Sequence, residues 1–229
     1  MHPVENNVER LYQRLRQMAA DFEFKPEERI NESVLSKKLG ASRTPLREAL
    51  NRLVAEGFLT FRGGKGFYCR PLSPDGILHL YEARVAIECE ALRCSTQRAS
   101  DTSIGEIVAY LDGIEDEYTT CRDPLRLLDL DESFHLRLAE LSDNPEFVRI
   151  LNNINGRIRF VRMLDLTALL KAPESETSLS AHRRIVSTLQ SRNETTAIFA
   201  MRAHIQRRRE QATDAVRRAF AEMYVTRVS

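Results

Sequence analysis

Leu39-Gly40-Ala41-Ser42-Arg43-Thr44-Pro45-Leu46-Arg47-Glu48-Ala49-Leu50-Asn51-Arg52-Leu53-Val54-Ala55-Glu56-Gly57 closes one helix and opens another. Gly40 is a C-terminal helix signal, and Ser42 followed by Arg43, Thr44 and Pro45 reads as a cap with proline in the first helical turn, where a missing N–H does little harm. Leu46, Ala49, Leu50 and Leu53 then recur at helical spacing until Gly57, a stripe that must face a core. Upstream, Asn31 is placed to cap a helix whose inner face holds Val34, Leu35 and Leu39. Two short helices joined by a tight turn make a helix-turn-helix. The side of the later helix opposite Leu46, Leu50 and Leu53 presents Arg43, Thr44, Arg47 and Asn51 near its N-terminal half.

Working outward, Val8, Leu11, Leu15, Met18 and Phe22 predict a preceding helix that stops before Lys25-Pro26. After Gly57 the period changes: Phe58–Phe61 and Phe67–Cys69 are strand formers around Arg62-Gly63-Gly64-Lys65-Gly66, a β-hairpin with a basic tip. Pro71-Leu72-Ser73-Pro74 breaks regular structure. The expected organisation is a winged helix-turn-helix over residues 1–72 and an antiparallel all-α bundle over 73–229, mostly α overall. The bundle helices are predicted at 74–99, 102–121, 124–142, 144–165, 175–192 and 195–224, with the stretch Thr167–Ser180, which contains Pro173, as a loop over one end.

Composition narrows the function. The 229-residue chain has a formal net charge of +1, but residues 1–70 hold 13 Lys and Arg against 9 Asp and Glu, and residues 31–70 hold 8 against 3. A basic N-terminal part on a slightly acidic body favours a phosphate-bearing partner. Cys69, Cys89, Cys94 and Cys121 form no CxxC pair, which argues against a zinc ribbon or a disulfide framework. The N-terminus has no basic-then-apolar signal and there is no run of about 18 apolar residues, so the expectation is a cytoplasmic protein without a membrane partner.

Arginine offers bidentate donors to guanine, Thr44 at a helix N-terminus suits a phosphate, and a basic hairpin tip at Lys65 suits a groove. The stretch 39–57 resembles the signature of the GntR superfamily of bacterial transcription regulators, and Gly63-Gly64-Lys65-Gly66-Phe67 resembles its wing. The resemblance implies that Arg43, Thr44, Arg47 and Gly66 contact operator DNA, with Asn51 and Lys65 beside them. Ser33 departs from members that carry a DNA-contacting arginine there.

In the helical part, Asp131 precedes His135 by four residues, which puts both on one helix face. With His182 and His204 they are a possible first-row transition-metal set; equally, each is a surface or satisfied core residue, since spacing alone does not bring them together. Asp131-Glu132-Ser133-Phe134-His135, Ser180-Ala181-His182-Arg183-Arg184-Ile185 and Met201-Arg202-Ala203-His204-Ile205 resemble the FCD ligand-binding domain of the FadR subfamily. That resemblance implies that Asp131, His135, His182 and His204 hold a divalent transition metal, zinc or nickel, and that a small organic acid binds nearby. Arg84, in Tyr81-Glu82-Ala83-Arg84-Val85-Ala86-Ile87-Glu88, either pairs with an effector carboxylate or with Glu88 one turn on. Arg159 has a similar claim, and Arg207-Arg208-Arg209 reads as a solvated face.

The expected function is therefore a homodimeric DNA-binding regulator, a repressor, that reads an inverted-repeat operator and responds to a carboxylate metabolite. The alternatives are a metal-dependent hydrolase or other metalloenzyme using the Asp/His site, which lacks a convincing general base, and an architectural DNA binder, which leaves the Asp/His set unexplained.

Overall fold

The structure, a computed structural model, describes residues 3–170 and 178–225. These residues divide into two compact units, Met1–Ser73 and Pro74–Ser229.

The first unit is α1 (Pro3–Ala20), α2 (Glu32–Leu39), α3 (Arg43–Ala55), β1 (Leu59–Arg62) and β2 (Gly66–Cys69). The caps of α2 form as the sequence suggests. Asn31 Oδ1 accepts from the N–H groups of Ser33 and Val34 at 3.1 Å each, and Gly40 takes the left-handed conformation, φ +61°, that an L side chain resists. Ser42 stands in extended conformation at the start of α3, but its hydroxyl makes no capping bond. Leu46, Leu50 and Leu53 are fully buried with Leu15, Phe58 and Phe67, each such side chain contributing roughly 1.5–3 kcal/mol of burial free energy. Val34 is a correction: it is 60% exposed. Each helical residue turns about 100°, so once Leu35 and Leu39 pack inward, Val34 is rotated out.

In the hairpin, β1 and β2 pair antiparallel, with Leu59 opposite Cys69 and Arg62 opposite Gly66. The segment before α2 zips onto β2: the Ile30 N–H donates to Phe67 O and the Cys69 N–H to Glu28 O, both at 2.9 Å. Ile30 is buried and its neighbour Arg29 is exposed, the alternation expected of an extended strip.

The second unit is helical throughout its described residues: α4 (Pro74–Arg98), α5 (Asp101–Thr120), α6 (Pro124–Glu140), α7 (Pro145–Leu169), α8 (Ser178–Gln190) and α9 (Glu194–Val225). Ser100, Asp123 and Asn144 accept backbone N–H bonds at the starts of α5, α6 and α7, and proline occupies the first position of the latter two. Helix α4 packs on α9 and α7, α6 on α7, and α8 on α9 and α5. The expected loop over Thr167–Ser180 is shorter at both ends, since Thr167 lies in α7 and Ser180 in α8; Pro173 falls outside the described residues. Among the described residues no helix is long and apolar enough to cross a membrane.

The apolar interior of this unit is interrupted by charged and polar side chains. Arg84 and Glu88 on α4, Asp131 and His135 on α6, Asn155, Arg162 and Asp165 on α7, His182 on α8 and His204 on α9 are all buried. Burying such groups is costly unless they are partnered, and the partners that most of them find define the second of two candidate sites.

Candidate DNA-reading face and candidate metal centre

The exposed side of α3 carries Arg43, Thr44, Arg47 and Asn51, and Lys65 is exposed at the hairpin turn. A cleft of about 420 Å³ gathers Arg43, Arg47 and Gly66 with Arg29, Glu32 and Ser33. Thr44 faces a different groove, between α1 and the turn after α2, with Arg10 and Arg14. Asn51 and Lys65 line neither. Gly66 has φ +91°, a conformation that favours glycine. Arg47 Nη1 lies 3.6 Å from Glu32 Oε2, and both side chains are partly exposed, so the pair holds Arg47 only weakly and leaves it free to turn to another partner.

Arg29 is the residue here that local periodicity did not single out. Its backbone is fixed against β2, and its guanidinium Nε lies about 4.0 Å from where a Cβ on Gly66 would stand. The available signal was its charge next to an inward isoleucine.

In the helical unit the four residues picked out at the sequence level converge. Ligand atoms of Asp131, His135, His182 and His204 all lie within 4.8 Å of one another, and all four residues are buried. His135 Nε2 is 3.3 Å from His204 Nε2 and 3.6 Å from Asp131 Oδ2, and His182 Nε2 is 3.3 Å from Asp131 Oδ1. That last approach lacks hydrogen-bond alignment, so both ring nitrogens of His182 are buried without a partner. The ring is held by stacking on Phe134, centroids 4.0 Å apart.

Electrostatics keep His182, His204 and Asp131 in the protonation states a cation needs. Burial pulls the His182 imidazolium down to about 4, and burial together with the neighbouring His182 and His135 holds His204 well below its ordinary value. For Asp131 burial acts to raise the pKa, but the Arg162 guanidinium, with help from His182 and His135, outweighs it and keeps the carboxyl well below the usual range. Neutral imidazoles at His182 and His204 and an ionised carboxylate at Asp131, gathered with His135 in one small buried space, fit zinc or nickel in donor type and number.

Around this cluster lies a ring of charged partners. Arg162 donates to Asp131 and, at 3.4 Å, to Glu132. Glu88 accepts from His135 Nδ1 with one oxygen and from Arg84 Nε with the other. Burial would raise the Glu88 carboxyl, yet Arg84 and His135 hold it down at about 2. Arg84 makes the Glu88 pairing that its spacing permits, and its Nη2 remains buried with no partner. Arg159 is occupied differently: it donates to Asp129 at 2.8 Å and to Glu132 at 3.0 Å. Arg162 and the contact of Glu88 with His135 were not singled out from the sequence; the signal was a charge sitting in the buried stripe of a helix.

Both units of the chain match known protein families. The bacterial regulatory proteins of the gntR family match over residues 7–69, and the FCD domain matches over residues 79–207. The Nta operon transcriptional regulator of Aminobacter aminovorans is 40% identical over 207 residues, covering 90% of this chain and 95% of that protein. The HTH-type transcriptional regulator YdhC of Bacillus subtilis is 30% identical, covering 84% and 85%. Among solved structures, a GntR regulator from Rhodococcus sp. RHA1 superposes with a TM-score of 0.69 at 20% identity, covering 92% and 99%. McbR/YncC of E. coli superposes with a TM-score of 0.66 at 15% identity, covering 91% and 97%. At those identities the structures speak for the fold alone.

Proposed function

The chain belongs to the GntR family of bacterial regulatory proteins and carries an FCD domain, and on that premise we propose that it is a homodimeric, metal-dependent repressor released from an inverted-repeat operator by a small carboxylic acid. That it is a transcriptional regulator follows from the family; its relatives are regulators, not enzymes. The operator would be reached in the cytoplasm.

The observation that carries the sensing half of this reading is the convergence of Asp131, His135, His182 and His204 in one buried spot. In a five-coordinate or octahedral site, four protein donors leave a zinc or nickel ion with one or two open positions, enough to take a carboxylate oxygen. When bound, the ion supplies a Lewis-acidic anchor for the acid. Around it, Arg84 offers an unused Nη2 donor, suited to a second carboxylate oxygen, while Arg162 keeps Asp131 ionised. Arg159, through Glu132, braces the side of α6 that carries Asp131.

For the DNA half, Arg43 and Arg47 read base edges in the major groove, Thr44 holds a phosphate, and the Lys65–Gly66 wing follows the backbone with Asn51 beside it. Arg29, in the same cleft, adds a phosphate contact. One short reading helix spans few base pairs, so two-fold symmetry supplies a second half-site. An acid that binds one arrangement of the dimer better than another shifts operator affinity by that difference.

The test loads the wild type with zinc or nickel, screens carboxylic acids for thermal stabilisation, and titrates the stabilising acid into an operator complex followed by fluorescence anisotropy. One ion per chain and release of DNA are expected; a ligand at 100 times its Kd stabilises by about 2.7 kcal/mol. Anisotropy that ignores every stabilising acid would overturn the sensing reading. A monomer by light scattering, free and on DNA, would overturn the dimer.

A further inference from the structure

We propose that Glu88 is a positioning residue that locks His135 with Nε2 turned to the ion and ties this metal ligand to the acid-binding Arg84. The proposal rests on the metal reading above. Glu88 sits on α4 one turn after Arg84 and is only 2% exposed. Its two oxygens face two different tasks, one on His135 Nδ1 of α6 and one on Arg84 Nε.

A neutral imidazole has a single N–H. A carboxylate only accepts, so the contact with Glu88 places that proton on Nδ1 and leaves the lone pair on Nε2. Nε2 is the atom that faces His204 Nε2 at 3.3 Å and Asp131 at 3.6 Å. The other tautomer would push a proton into the space an ion needs and leave Glu88 facing a second lone pair. A carboxylate behind a ligating histidine orients the ring and strengthens it as a donor.

Stability alone does not account for the pair. A buried Arg–Glu couple pays a desolvation penalty that apolar residues of the same volume avoid, and such replacements are often neutral or stabilising. The third partner, His135, gives the carboxylate its reason to be there. Because Arg84 and His135 share Glu88, an acid that draws on Arg84 also adjusts the ring that holds the ion. Coupling of this kind is reciprocal, so the ion in turn prepares Arg84 for the acid.

Arg84→Met with Glu88→Leu replaces the pair by apolar side chains of similar size and is expected to keep the fold, as circular dichroism and light scattering would register. Zinc affinity, measured by competition with a chromophoric chelator, is expected to fall roughly 10–100-fold. Unchanged affinity in the folded double variant would overturn the proposal. A second measurement needs no variant: in zinc-free wild type carrying ¹⁵N-histidine, two-bond proton–nitrogen correlations should report His135 as the Nδ1–H tautomer, and an Nε2–H tautomer would overturn the lock however the variants behave. Failure of the wild type to hold zinc would instead overturn the metal reading, and the His135 tautomer alone would then decide for or against the lock.

Discussion

The reading face and the polar centre of the helical unit use the same residue types in opposite ways. Arg43 and Arg47 are exposed, weakly paired or facing solvent, and brought together one helical turn apart on α3. Arg84, Arg162, Asp131 and Glu88 are buried, and each is held by a partner, two of these pairings joining residues more than 30 positions apart. An exposed charge adds little cost to folding, so helical period alone decides where it points. A buried charge must be answered, so its meaning lies in another helix. The first region is therefore free to exchange partners, and the second keeps the partners it has.

The sharpest way to break that contrast is to disable one region and watch the other. His182→Ala with His204→Ala removes two of the four ligand-type groups, and ion content should drop from one per chain to background by elemental analysis, with the response to acid lost. Operator binding without acid should remain within a few-fold of wild type. Full occupancy in the double variant would sink the metal assignment, whereas loss of DNA binding together with unfolding would mean that the centre is structural.

The converse variant, Arg43→Ala with Arg47→Ala, should weaken operator binding by about 1–3 kcal/mol for each arginine–base pairing removed, leaving metal content and thermal midpoint unchanged. Arg29→Ala should instead weaken binding evenly across sequences and lower the salt slope by about one. A weakening that depended on the base pair opposite Arg29 would make it a reader and not a phosphate anchor.

The two regions also differed in how far the sequence revealed them. The helix-turn-helix was legible because its caps and stripe are local: Asn31, Gly40 and the Leu46–Leu53 stripe act within a turn or two of themselves. Val34 shows the limit, since a run of apolar residues does not say which one turns outward. In the helical unit, helix positions were legible from period and proline. That His182 and His204 meet Asp131 was not, because no local rule brings three helices to one point; only the resemblance pointed there. Arg84 was legible as one of two pairings, and the structure contains the Glu88 pairing while leaving Nη2 unpartnered. Arg162, and the reach of Glu88 to His135, stayed hidden because a charge in a buried stripe does not name a partner on another helix.

A smaller effect tests whether the reading unit depends on local signals as strongly as this implies. Asn31→Ala removes the side chain that accepts two N–H bonds at the start of α2 and should destabilise the unit by about 1 kcal/mol. Ser42→Ala, at a cap position whose hydroxyl makes no capping bond, should cost clearly less in the same thermal melts. Equal destabilisation would mean that the Ser42 hydroxyl caps α3 in solution after all.

A last effect lies where the contrast fails, because the reading unit has buried long-range polar contacts of its own. Tyr12 on α1 is 4% exposed, and its hydroxyl donates to Glu56 at 2.6 Å, 44 positions away. The Arg52 guanidinium lies over its ring at 3.5 Å. Burial, and then the bond to Glu56, push the phenol up to about 12 from 10. The folded state thus holds its proton more tightly than the unfolded chain does, so the associated stability is present below pH 10 and is lost as pH rises through about 12. Tyr12→Phe keeps the ring under Arg52 and removes only the hydroxyl, which should lower stability by about 1 kcal/mol at neutral pH. The other tyrosines are common to both proteins, so the difference in thermal midpoint isolates Tyr12. It should be constant up to about pH 9 and shrink toward pH 12. A difference that stayed flat over that range would show that the hydroxyl is solvated in both states, and that α1 is held to the end of α3 without it, by apolar packing, the arginine stack and the Arg52–Glu9 pair.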